Sequence, residues 1–184
     1  MAEFIILSEK EAALRQLETT IKLYFNAQDN VSIHTLANTA HELLAKICKK
    51  QGIRAFIGDV ELEMIRPEKK DEYIKIMSKA RNFFKHGQDR NDKEESLKFY
   101  YEPTEFIIWD ACRLYELINV DIPLTMMIFI AWFFSKYPNV IKDSEIKKAM
   151  GVFKQDLKLS NKREFIKSMP VNYKKHLRLA PDYF

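Results

Sequence analysis

Glycine and proline are scarce, 4 and 6 among 184 residues, too few for the many tight turns of an all-β fold. Residues 8 to 51 contain neither, which favours long helices. Cysteine is scarcer still. Cys48 and Cys112 stand alone, with no CxxC and no Cys/His cluster, and are expected to be reduced core thiols of a cytoplasmic protein. The GxGxxG, Walker A, HExxH and GxSxG motifs are missing, which removes the common nucleotide-binding and hydrolase signatures. The uncharged apolar run IPLTMMIFIAWFF at 122 to 134 is too short to span a bilayer. It predicts a helix buried in the core or in a subunit interface, and no membrane association. The opening MAEFIILSEKE turns acidic too early for a secretory signal.

Hydrophobic residues make up 47% of the chain and aromatics 12%, the composition of a packed globular protein. A net charge of +4 is compatible with an acidic partner such as RNA. Helix signals recur along the whole chain. Ser8 and Glu11 form a capping box that opens a helix to about Asn26, with Leu14, Leu17, Ile21 and Phe25 on one face. A second helix is expected from Ser32 to Gln51, stopped by Gly52, with Ile33, Leu36, Ala37, Ala40, Leu43, Leu44 and Ile47 as its apolar face. Pro67 suits the first turn of a third helix, which Gly87 ends after His86. Further helices are expected over 103 to 119, 123 to 138, 144 to 150 and 160 to 168. The domain reading is a helical bundle over 1 to 119, with 120 to 184 as a C-terminal helical extension packed on it.

The third helix carries the chemistry. Tyr73, Ile76, Met77, Ala80, Phe83 and Phe84 fall within roughly 60° of one direction and form its core face. Arg81 lies about 100° to one side and His86 about 120° to the other. Lys75, Ser78, Asn82 and Lys85 fill the far side, with Lys79 beside His86. His86 therefore belongs to a basic, hydrogen-bonding surface. Asn82 stands one turn before His86 and can fix the imidazole's orientation. Arg81 and His86 are separated by about 140° around the helix, so convergence on one ligand requires the long arginine to wrap across, the helix to unwind near Gly87, or a second subunit. Two readings remain open here. Lys85, His86 and Gly87 are also what a helix C-terminus needs, with cations near the negative dipole end and a glycine for the left-handed turn.

Arg81-Asn82-Phe83-Phe84-Lys85-His86 has the form arginine, polar residue, three residues, histidine. It resembles the defining motif of HEPN domains, small helical bundles found in many metal-independent ribonucleases and toxins. The longer string ARNFFKH with IHTLANTAHELL upstream looks like a group of prokaryotic HEPN-like proteins, and the resemblance spans roughly residues 8 to 119. It implies an all-α, up-down four-helix bundle and a homodimer whose two motifs line one cleft. It also implies RNA cleavage without metal or other cofactor, and a possible antitoxin protein as partner. His86 would be the general base, Arg81 the phosphate clamp and Asn82 the orienting residue. The chemistry suits these groups. RNA carries its own nucleophile in the 2′-hydroxyl, an imidazole can take that proton, and a guanidinium can hold the phosphate. Many HEPN domains are inactive, so a non-catalytic module binding RNA, a nucleotide or a protein is the alternative.

Lys75, Lys79 and Lys85 would add phosphate contacts. His34, Asn38 and His41 form a polar stripe beside the core face of the second helix and are expected on exposed helix surface, where they would border the RNA cleft if the second and third helices pack together. The two histidines lack a nearby carboxylate suited to a metal. The loop containing Asp89, Asn91, Asp92, Glu94 and Glu95 lacks calcium-loop spacing and reads as solvated, while the tail NYKKHLRLAPDYF mixes basic and aromatic residues.

Overall fold

In the computed structural model the described residues are 3–58, 70–87, 96–119, 121–137, 162–169 and 171, with backbone only for 70–74, 76 and 77. They form an all-α bundle of six helices: α1 (Glu9–Phe25), α2 (Asn30–Lys49), α3 (Lys70–His86), α4 (Glu102–Leu117), α5 (Leu124–Lys136) and α6 (Lys162–Ser168). Among the described residues there is no strand, and no helix is long and apolar enough to cross a membrane. The expected start of the third helix at Pro67, the helix over 144 to 150, the acidic loop and the basic tail lie outside the described residues.

The capping box of α1 forms as expected. The Ser8 hydroxyl accepts from the Glu11 N–H at 3.1 Å, and the Ser8 N–H donates to the Glu11 carboxylate at 2.8 Å. α2 starts two residues earlier than the sequence suggests. Asp29 is its cap, accepting from the Ser32 N–H at 2.7 Å.

A tight connection turns α1 into α2, and the Lys46–Glu9 ion pair ties the end of α2 to the start of α1, so the two run antiparallel. The connection contains a left-handed residue that is not glycine, Ala27 at φ 51°. Gln28 donates back to Leu23 at 3.1 Å and Ala27 to Tyr24 at 3.2 Å, the pattern of a Schellman stop. A Cβ in this region costs roughly 1–2 kcal/mol, partly offset by the lower chain entropy of alanine. Ala27→Gly is therefore expected to stabilise the protein by roughly 0.5–1 kcal/mol. A higher urea midpoint at unchanged denaturant slope would check it.

α4 is the central helix, buried on nearly every side. It runs parallel to α2: Thr104 meets His34 near the starts of the two helices, Asp110 meets His41 in the middle, and the Leu114 carbonyl accepts from Cys48 near the ends. α5 returns antiparallel along α4, with Trp109 stacked on Phe133 at 5.1 Å and Lys136 on Glu105. The apolar run thus enters the core, with Met126, Phe129, Trp132 and Phe133 essentially inaccessible. Full burial of each such side chain contributes about 1.5–3 kcal/mol. α6 adds Phe165 and Ile166 to the same core, Phe165 stacking on Phe25 and tilting against Trp132. α3 is peripheral and packs on α2. Its Phe84 sits edge-on between His34 and Phe99, at 5.6 and 5.0 Å.

Candidate functional site on the α2–α3 face

The last two turns of α3 carry Arg81, Asn82, Lys85 and His86, and Gly87 ends the helix at φ 71° with its N–H bonded to the Phe83 carbonyl. The helix stop read from the sequence is real. Glu42 of α2 faces this end of α3 and takes two cations at once. Arg81 Nη1 donates to one carboxylate oxygen and Lys85 Nζ to the other, each at 3.0 Å. Arg81 Nε also donates to the Asn82 amide oxygen at 3.3 Å. Asn82 thus holds the guanidinium, and among the described residues no hydrogen bond joins it to His86. His86 is exposed and makes no hydrogen bond or ion pair there. Lys75 and Lys79 are exposed on the same helix.

The guanidinium is half-buried, held over α2 by Glu42. Arg81 and His86 therefore sit on one end of α3 but are directed differently: the arginine inward to α2, the imidazole outward to solvent. What this arrangement can do is bind an anion at Arg81 and Lys85 in competition with Glu42, and offer a solvent-accessible base at His86.

Behind this face the polar stripe of α2 behaves otherwise than expected. His34, Asn38 and His41 are buried, at 2%, 6% and 7% exposure, and so are not available for RNA to touch. The reason is that α2 is covered on two sides, by α1 and by α4. The Asn38 amide donates to the His34 carbonyl at 2.8 Å. His34 Nδ1 shares a 2.8 Å hydrogen bond with the Thr104 hydroxyl, while its Nε2 is buried without a hydrogen-bond partner among the described residues. His41 Nε2 meets Asp110 at 2.9 Å.

Burial, and then the nearby Arg81 charge, push the His34 pKa from 6.5 down to about 4. In the window between these values the unfolded chain binds the proton and the folded one does not. Stability contributed by neutral His34 is present above pH 6.5 and is lost as pH falls towards 4. The full effect is about 3 kcal/mol. His34→Gln is expected to flatten the unfolding free energy against pH over that window, measured by urea titration at several pH values.

Two polar centres were not legible in the sequence, and both are on α4. Asp110, fully buried, accepts from His41, from the Phe56 and Ile57 N–H groups at 2.8 and 2.9 Å, and from Arg113 Nε at 2.8 Å. Burial alone would raise its pKa, but the hydrogen bond and charge of His41, the charge of Arg113 and the Ile57 N–H together hold it below the usual value. Glu105 is the second centre. Tyr24 Oη donates to it at 2.6 Å, Tyr137 Oη at 2.8 Å, and Lys136 Nζ at 2.9 and 2.7 Å. The available signal is an acidic side chain interrupting the apolar run EFIIWDAC. Its partners lie up to 81 residues away.

Among the described residues no cluster of three or more His, Cys, Asp or Glu side chains is placed to hold a metal ion. The chain matches no protein-family model, no curated protein and no solved structure.

Proposed function

We propose that the protein is a HEPN-type endoribonuclease that cleaves RNA without a metal. In this reading residues 1 to 119 are an up-down HEPN-like bundle, 120 to 184 a C-terminal extension, and two copies pair so that their α3 ends line one cleft. The observation that carries it is the state of His86: a solvent-facing imidazole with no described internal partner, one and a half turns after a half-buried arginine. Arg81 exchanges part of its contact with Glu42 for a phosphate oxygen, a charge-assisted contact of the same kind. Lys85 follows it, and Lys75 and Lys79 extend the basic face along α3. Asn82 keeps the guanidinium oriented. His86 takes the 2′-hydroxyl proton. The 2′-oxygen attacks phosphorus, the bond to the 5′-oxygen breaks, and that oxygen leaves with a proton from water or from the second copy's imidazole. The products are a 2′,3′-cyclic phosphate and a 5′-hydroxyl. A nuclease of this kind in a cell requires restraint, which suits a toxin or defence effector held by an antitoxin protein.

The test is incubation of the purified protein with mixed RNA substrates in excess chelator. Cleavage leaving 2′,3′-cyclic phosphate ends is the expected result, and intact RNA at every protein concentration overturns the reading.

A second reading, a non-catalytic module, is favoured by one observation. Glu42 already pairs with both Arg81 and Lys85, so these cations have a structural role without any ligand.

A further inference from the structure

Away from α3, the end of α1, the starts of α2 and α4, the end of α5 and the start of α6 line an open cleft of about 530 Å³, the size of a small-molecule site. Its wall is polar and cationic. Lys136 and Lys162 both line it, with Glu105 as the one acidic side chain among the lining residues. That carboxylate is already saturated by Tyr24, Tyr137 and Lys136. Among the described residues no carboxylate forms an ion pair with Lys162. Its one described hydrogen bond is to the Tyr24 carbonyl at 2.6 Å, and its ammonium lies 4.2 Å over the Tyr24 ring. An ammonium has three protons to donate, so donor capacity remains.

A half-buried cation supported only by a carbonyl and an aromatic face is costly unless an anion completes it. Burial accordingly pushes the Lys162 pKa down, with Glu105 pulling it up and Lys136 opposing. Asn30, the first residue of the long helix α2, also lines the pocket, so the positive end of that helix adds to the same field. Trp132 and Tyr101 add aromatic surface, Trp132 buried and Tyr101 exposed.

We propose that this pocket binds a phosphate group, with Lys162 as the anchoring cation and Lys136 and Asn30 as supporting donors. Two ammonium groups against one saturated carboxylate leave a net positive site that matches the charge of a phosphate near neutral pH. The source is free phosphate or the phosphate of a small metabolite, which the size of the pocket admits. The pocket shares no residue with the α3 face, so its test is independent of the ribonuclease reading.

The experiment follows Trp132 fluorescence in a Trp109→Phe background, at constant ionic strength, while inorganic phosphate replaces chloride. A saturable change is expected, weakened at least tenfold in Lys162→Met and largely retained in Lys162→Arg. A ribonucleoside monophosphate binding more tightly than phosphate, with the same dependence on Lys162, assigns the source to an organic phosphate. Equal affinity assigns it to free phosphate. Lys162 acetylation in the unaltered protein, read by peptide mass spectrometry, needs no variant to fold, and phosphate is expected to slow it several-fold. No saturable signal, undiminished binding by Lys162→Met, or labelling indifferent to phosphate would each overturn the proposal.

Discussion

His86→Ala is expected to reduce metal-independent RNA cleavage by at least about a hundredfold, the lower end of what a positioned general base supplies. The same change is expected to leave the fold intact. His86 lies at the last position of α3, is exposed, and touches no described partner. The helix stop itself is made by Gly87, whose N–H reaches the Phe83 carbonyl at 2.9 Å, and the anchor is Phe84 against His34 and Phe99. Removing the imidazole therefore takes away no hydrogen bond or ion pair among the described residues, so little change in stability is expected. Helical content by circular dichroism should match that of the unaltered protein, while cyclic-phosphate ends disappear in chelator. Cleavage that survives the substitution would remove His86 from the mechanism. Arg81→Ala is a less clean probe, because it also strands Glu42 beside Lys85 and changes the charge felt by buried His34.

The parts of this protein that are local in sequence were readable from it, and the parts that depend on neighbour number were not. The Ser8/Glu11 box and the Gly52 and Gly87 stops each need only a few adjacent residues, and the described helices begin or end where those signals place them. The polar stripe of α2 shows the limit. His34, Asn38 and His41 share the spacing of a solvent face, and one apolar stripe suffices for a helix with one neighbour. α2 has two. Its first face packs on α1, and its second meets α4, where Thr104 bonds His34 Nδ1 and Asp110 bonds His41 Nε2. No local pattern reveals that a residue 69 or 70 positions away will supply the partner. The same holds for Lys162, which reads as a surface cation until α6 is placed against Tyr24. The motif on α3 was legible as a helix end with an exposed histidine, but the clamp of Glu42 on Arg81 and Lys85 required the packing of α2 on α3.

Asp110→Ala is the substitution expected to cost the most stability, about 3–5 kcal/mol, the range for breaking a buried ion pair by removing one partner. Asp110 joins three segments: α2 through His41, the connector through the Phe56 and Ile57 N–H groups, and its own helix through Arg113. Arg113 in turn donates to the Arg54 carbonyl at 2.8 Å and lies 3.8 Å over the Phe56 ring. Deleting the carboxylate leaves a largely buried guanidinium, an imidazole and two backbone donors without their acceptor, which costs more than the lost hydrogen bonds. Asp110→Asn keeps the shape and one acceptor oxygen but not the charge, so a smaller loss of about 2 kcal/mol is expected. The pH dependence separates this site from His34. Because the folded-state pKa of Asp110 is depressed, its contribution is present above the unfolded carboxylate value near 3.8 and is lost as pH falls through the lower folded value. Neutral His34 loses its contribution earlier, between 6.5 and about 4. Urea titrations across pH should therefore show two acid-sensitive windows. Asp110→Asn should remove the lower one and leave the upper, and a profile in which it removes the upper would overturn the assignment of that window to His34.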